Sequence, residues 1–211
     1  RVIVTSTSEV YGTAQYVPIN ETHPLQAQSP YSASKIGADK IAESFFRSFE
    51  MPVVIARPFN AYGPRQSARA IIPTIITQLL SGNEDIRLGS LHPTRDFNYV
   101  RDICNGLILL SKFDEAIGKE VNIGSNTEIS IGTLADMLIK LLNAKVKIVT
   151  EDLRKRPDKS EVERLACDNS LIKEITSWEP ETLLKDGLLE TIEWFNSEEN
   201  MKRYKGDIYN I

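Results

Sequence analysis

The sequence predicts an α/β fold, a βαβ unit joined to a smaller α/β lobe, and three stretches carry that prediction. Arg1 to Val4 is a short strand-like run that ends in the polar loop Thr5-Ser6-Thr7-Ser8, the end of a strand where α/β folds place their chemistry. From about Pro30 to Glu50 the apolar residues recur at helical spacing. Val53-Val54-Ile55-Ala56 is then a continuous apolar run, the pattern of a strand buried on both faces of a parallel sheet.

The elements follow in order. Glu9-Val10-Tyr11-Gly12 turns the chain away from the first strand. Ser29 before Pro30 is a helix start, because a serine side chain caps free N–H groups and proline tolerates the first helical position. In that helix Ile41, Ala42, Phe45, Phe46 and Phe49 are expected on one stripe, and Met51-Pro52 ends it. Beyond Pro64, Ile71 to Leu80 is expected to be helical after Pro73, followed by a strand near Ile86-Arg87-Leu88 and an apolar helix from Val100 to Leu110. Glu120 to Ile123 is a short strand. Ser130 can cap a helix whose Leu134, Met137, Leu138, Leu141 and Leu142 form one face. Val146-Lys147-Ile148 alternates like a half-buried strand, and a last helix carries Leu184, Leu188, Ile192 and Phe195.

Composition narrows the class. The 211 residues hold 25 Lys+Arg against 29 Asp+Glu, a formal net charge of −4, which argues against a dedicated nucleic-acid binder. At 41% hydrophobic and 26% charged residues the chain is globular rather than disordered. Its length suits one domain plus a smaller partner layer. No apolar run approaches the roughly 18 residues of a membrane span, so no membrane role is expected. Cys104 and Cys167 lack CxxC spacing and sit in apolar-looking surroundings, so reduced structural thiols and a cytoplasmic setting are expected. His23 and His92 lack ligand spacing, and no metal is expected. Trp178 and Trp194 are expected in the core. The chain opens on Arg1 directly into a strand, which reads as a fragment.

Tyr31 and Lys35 are four residues apart on the first helix, so they share a face about one turn apart. An ammonium near a phenol favours the phenolate and makes such a tyrosine a usable proton acceptor near neutral pH. Alone, Tyr-x-x-x-Lys is a weak signal whose bland reading is a solvated helix pair. Here it sits among other pieces: Thr5-Ser6-Thr7-Ser8-Glu9-Val10-Tyr11-Gly12 upstream, Ser29-Pro30-Tyr31-Ser32-Ala33-Ser34-Lys35 around it, and Arg57 to Gly63 after the next strand. Arg95-Asp96-Phe97, Val121-Asn122-Ile123-Gly124 and Trp178-Glu179-Pro180 follow.

With these motifs in this order the sequence resembles the extended short-chain dehydrogenase/reductases that act on nucleotide-sugars, the NAD-dependent epimerase/dehydratase group, along essentially the whole chain. The resemblance implies a Rossmann-like NAD-binding lobe and a smaller lobe for the nucleotide-sugar. It divides the chain into 1–64, a partial NAD-binding lobe with the catalytic strand and helix; 65–98, a substrate-lobe insertion; 99–128, a return to the first lobe; and 129–211, the sugar-nucleotide lobe. A Rossmann lobe holds the pyrophosphate on a glycine-rich loop at a helix N-terminus, and no G-x-G-x-x-G occurs in these 211 residues. The chain therefore reads as the C-terminal two-thirds of such an enzyme, expected to hold NAD poorly and to be inactive by itself.

The same resemblance assigns roles. Tyr31 takes the proton of the sugar 4-hydroxyl, Lys35 holds the nicotinamide ribose and tunes the tyrosine, and Thr7 hydrogen-bonds the same hydroxyl. Thr5, Ser6 and Pro58 are carried over with Tyr31 and Lys35 as cofactor-binding. Asn60 and Arg95 match residues that contact the substrate diphosphate, where a fork of donors suits phosphate oxygens. Arg156 is a weaker candidate for that charge, since a surface salt bridge explains it equally well.

Glu9 marks the branch point. A 4-keto group makes the C5 proton acidic, and a carboxylate there can abstract it and drive loss of the 6-hydroxyl as water. Simple 4-epimerases of the family usually lack that carboxylate. Ser8 is carried over with Thr7 and Glu9 as a catalytic candidate; the dTDP-glucose dehydratases carry Thr-Asp-Glu, and at an ordinary pKa Ser8 cannot supply the proton of that aspartic acid. Thr7-Ser8-Glu9 matches the Thr-Ser-Glu of GDP-mannose dehydratases and of nucleotide-glucuronate decarboxylases. A 4,6-dehydratase is favoured, resembling those of the legionaminic-acid pathway type, with epimerase, decarboxylase or an inactive fragment as alternatives. In relatives the first helix forms a four-helix dimer interface, which implies a homodimer.

Overall fold

The computed structural model describes residues 1–155 and 160–204. The chain runs through β1 (Val2–Thr5), a 3-10 turn (Ser8–Tyr11), α1 (Pro30–Phe49), β2 (Val53–Pro58), β3 (Asn60–Tyr62), α2 (Ile71–Leu80) and β4 (Asp85–Leu88). Next come β5 (Thr94–Arg95), β6 (Phe97–Tyr99), α3 (Val100–Leu110), β7 (Glu120–Ile123), β8 (Ile129–Ser130) and α4 (Ile131–Leu141). The last are β9 (Lys147–Thr150), β10 (Arg164–Leu165), α5 (Ser170–Thr176), α6 (Leu184–Asn196) and α7 (Glu198–Met201).

The βαβ unit is as expected. Ser29 caps α1, its side chain accepting from the Ser32 N–H at 3.1 Å. β1, β2 and β7 form a parallel sheet in the order β1-β2-β7, with Thr5 opposite Ala56 and Arg57 opposite Asn122. One face of β2 and β7 carries Val54, Ala56, Val121 and Ile123 into a core with Ile103 and Leu110 of α3. Ile172 of α5 and Trp178 pack into this same core, and the Trp178 indole N–H donates to the Asp102 carbonyl at 3.1 Å. A second core joins α2, α4 and α6 around Ile86 and Leu88 of β4, which pairs with β9. The remaining short strands form a two-stranded sheet, β3 with β6, and a three-stranded one in the order β10-β5-β8.

Three expectations change. The apolar stripe of α1 divides: Ala42 and Phe46 pack on Val53 and Ile55, whereas Ile41, Phe45 and Phe49 are exposed, Phe49 at 72%. A helix on a three-stranded sheet has only a narrow strip of contact, and β1 is its open edge. Helix α2 starts at Ile71 rather than after Pro73; a proline in the first turn sacrifices an N–H that has no helical partner anyway. Cys104 is exposed on α3, while Cys167 is buried. The short strands β3, β5, β6, β8 and β10 and helix α5 are too brief to show a period in sequence.

Candidate active site

The turn after β1 is held by side-chain and backbone hydrogen bonds centred on Glu9. Thr7 caps it, its side-chain oxygen accepting from the Glu9 N–H at 3.2 Å. The Glu9 carbonyl accepts from the Gly12 N–H at 3.2 Å and from the buried Ser32 hydroxyl at 2.8 Å. Gly12 has φ +62° and ψ −152°, a backbone conformation that favours glycine.

Beneath the turn lies a buried polar network. The Tyr11 hydroxyl donates to Asn122 Oδ1 at 2.7 Å and accepts from Arg57 Nη1 at 3.1 Å. Arg57 Nε and Nη2 also donate to Asp39 Oδ2, at 3.2 and 3.1 Å. Burial pushes the Tyr11 phenol well above its usual range, with the nearby Arg57 charge opposing; it remains a protonated donor. Burial works against the Arg57 charge, but Tyr11, Asp39 and Glu120 around it raise its pKa on balance.

Tyr31, in the first turn of α1, is 52% exposed. Lys35, one turn on, donates through Nζ to the Thr5 carbonyl at 3.1 Å. Glu9 and Tyr31 line the same cavity, of about 720 Å³. Its other walls carry Asn60, Arg69, Arg87, Arg95 and Arg154, with Leu88, Phe97 and Ile131 as apolar surface. Glu161, also in the wall, pairs with Arg95 at 3.3 Å. Glu151 accepts from Arg154 at 2.7 Å and lies 3.6 Å from Arg87. Four arginines against the wall carboxylates Glu9 and Glu161 make a space suited to an anionic ligand with an apolar portion.

The other described sequence-derived candidates, Lys35, Thr5, Ser6, Thr7, Ser8 and Pro58, are not in the wall of this cavity. Thr5, Ser6 and Pro58 sit at the carboxyl ends of β1 and β2. Ser6 and Ser8 are buried, at 4% and 2% exposure, and Thr7 is partly buried and engaged with the turn backbone. Arg156 lies outside the described residues. Arg69, Arg87 and Arg154 carry no signal in the sequence, since each stands in a different segment with no motif around it.

Two of the motifs are chiefly architectural. Asp96 is fully buried and accepts from Ser125 Oγ at 2.6 Å, the Asn126 N–H at 3.0 Å and the Cys167 N–H at 3.2 Å. It thereby fixes Arg95 beside it. Gly124 admits this corner, because a Cβ there would collide with Cys167. His23 accepts the Gln15 N–H at its Nε2, 3.0 Å, and His92 pairs with Glu163 at 3.0 Å. Among the described residues no cluster of three or more His, Cys, Asp or Glu could hold a metal, and no helix is long and apolar enough to cross a membrane.

Comparison with known proteins gives the family and the fold. Residues 1–191 match the family described as GDP-mannose 4,6 dehydratase. A dTDP-glucose 4,6-dehydratase of an Actinoplanes species is 34% identical over 200 residues, which are 93% of this chain; the chain spans 60% of that relative's length. The crystal structure of a dTDP-glucose 4,6-dehydratase from Bacillus anthracis in complex with NAD superposes with a TM-score of 0.84 at 30% identity, covering 94% of this chain and 62% of that one. An epimerase from Methanothermobacter thermautotrophicus gives a TM-score of 0.87 at 27% identity, covering 95% and 61%. The chain belongs to the GDP-mannose 4,6 dehydratase family, within the NAD-dependent extended short-chain dehydrogenase/reductases that include nucleotide-sugar dehydratases and epimerases.

Proposed function

We propose that the full-length protein is an NAD-dependent nucleotide-sugar 4,6-dehydratase and that this chain supplies its catalytic groups and most of its sugar-nucleotide site. The observation that carries the reading is the cavity wall that Glu9 and Tyr31 share with four arginines. A hexose between them would meet a proton acceptor for its 4-hydroxyl and a carboxylate for C5, while the arginines and Asn60 receive the diphosphate.

The residues present fit one half of the cofactor. Lys35 has three ammonium donors and gives one to Thr5, which leaves it able to reach a ribose hydroxyl at the carboxyl ends of β1 and β2, beside Thr5, Ser6 and Pro58. Bound there, NAD would supply the hydride acceptor for oxidation at C4 and, in its reduced form, the hydride donor for C6. Tyr31 accepts the 4-hydroxyl proton; Thr7 hydrogen-bonds the same oxygen. Glu9 then removes the acidified C5 proton and, in the absence of an aspartic acid at position 8, passes it to the departing 6-hydroxyl, which leaves as water; a solvent proton taken up by Glu9 is returned to C5 when C6 is reduced.

A 4-epimerase is the second reading, favoured by the epimerase among the similar structures; it leaves Glu9 without a task. The exposed Ile41, Phe45 and Phe49 of α1 support a homodimer through that helix, and two unpaired thiols support a cytoplasmic setting. The deciding experiment incubates full-length protein and NAD with nucleotide-hexoses, nucleotide-linked N-acetylglucosamine first. A 4-keto-6-deoxy product supports the dehydratase, and a C4 epimer selects the alternative. A full-length mass equal to one chain by light scattering at micromolar concentration would reject the dimer.

A further inference from the structure

We propose that Tyr11, braced by Arg57 and Asn122, is a positioning residue that sets the Glu9 carboxylate over C5, acting with Ser32 as the two anchors of the 3-10 turn. The inference rests on the dehydratase reading and adds residues that touch neither sugar nor cofactor. Glu9 stands on a single turn of 3-10 helix, Ser8–Tyr11, which is too short to hold itself by its own backbone bonds. Its stability must come from outside. At its C-terminal end the Tyr11 side chain is fully buried, and its hydroxyl bridges two residues that sit opposite each other on neighbouring strands, Arg57 of β2 and Asn122 of β7.

That bridge fixes the turn to the central sheet. Arg57 is itself held, by Asp39 of α1 at 3.1 Å and by the Tyr11 ring, whose centroid lies 5.3 Å from the guanidinium carbon. Asn122 is held by its own amide, which donates to the Ile19 carbonyl at 3.0 Å. The second anchor comes from above: Ser32, the residue after Tyr31, donates its hydroxyl to the Glu9 carbonyl at 2.8 Å. One serine on α1 thus references the Glu9 backbone to the helix that carries the phenol, and one tyrosine references it to the sheet. The two proton-transfer groups share a rigid base although they lie on different elements. Such a base matters most to the elimination step, where a displacement of about 1 Å can cost roughly a hundredfold.

The test uses Tyr11→Phe in the full-length protein, which removes only the bridging oxygen, and Ser32→Ala, which removes the other anchor and carries the test should the first variant fail to fold. Three quantities are read: amide hydrogen exchange over residues 7–12, and the single-turnover rates of C4 oxidation and of water loss from a nucleotide-hexose. The expected result is faster exchange in that segment, oxidation within about twofold of wild type, and water loss slowed roughly tenfold to a hundredfold. A general structural role would lower both rates together, and that parallel loss, or unchanged water loss in the folded variants, would overturn the proposal while leaving the dehydratase reading intact. Wild-type protein that oxidises but never dehydrates would remove the dehydratase reading and this inference with it.

Discussion

The Lys35 ammonium donates to the Thr5 carbonyl oxygen at 3.1 Å, so the helix that carries Tyr31 is tied to the last residue of β1. This contact places a cation at the carboxyl end of the parallel sheet, one helical turn from the phenol. The pair is thereby oriented by both the helix and the sheet, and a solvated surface pair would have no such tie.

Tyr31→Phe is therefore expected to lower the kcat for C4 oxidation by about 10²–10⁴, the usual contribution of a positioned acid–base group. KM should change little, because the arginine and Asn60 walls remain. Steady-state kinetics on the full-length protein check this, and a variant with wild-type kcat would remove Tyr31 from the mechanism.

Glu9→Gln should separate the two halves of the reaction. The amide keeps the shape of the side chain but cannot accept the C5 proton, so a 4-keto sugar should form without loss of water. Mass spectrometry of the product distinguishes the two species by the mass of one water. Full dehydration by this variant would exclude Glu9 as the base.

Asp39→Ala leaves the Arg57 guanidinium, 1% exposed, without its principal carboxylate. Loss of one partner from a buried pair costs about 3–5 kcal/mol. Urea unfolding should show that loss, and a change below about 1 kcal/mol would mean that Arg57 finds compensation elsewhere, with Glu120, 3.4 Å away, as the available partner.

Gly124→Ala should destabilise by about 1–3 kcal/mol, as overpacking does. The added Cβ would collide with Cys167 and approach Asp96 Oδ2 to 3.1 Å, disturbing the corner that holds Arg95. Thermal denaturation measures the effect, and reduced affinity for a nucleoside diphosphate should accompany it.

Glu128 links Thr94 of β5 to Arg164 of β10, and the Arg164 hydrogen bond, with Thr94 assisting, holds its pKa below the ordinary 4.5. A depressed carboxylate pKa gives stability that is present above 4.5 and lost as the pH falls through the folded value. Both side chains are partly exposed, so the amount is no more than about 1 kcal/mol. Glu128→Gln should flatten the acid limb of stability against pH, which urea midpoints across that range would record.

What could be read from sequence is what is local. Ser29 and Pro30 announce α1 within two residues, Val53 to Ala56 declares a buried strand, and the spacing of Tyr31 and Lys35 places both on one helical face before any fold is known. The motifs around them were enough for the family. The resemblance implied that Glu9 and Tyr31 meet one sugar; tertiary structure alone decided that Arg69, Arg87 and Arg154 join Arg95 in the cavity those two line, and that Ile41, Phe45 and Phe49 face outward while Ala42 and Phe46 face the sheet. Hydrophobic spacing reports which side of an element is apolar, because that depends on residues three or four apart. It does not report which neighbour that side meets, or whether distant charges converge on one space, because those depend on how loops from separate segments close over the ends of the strands.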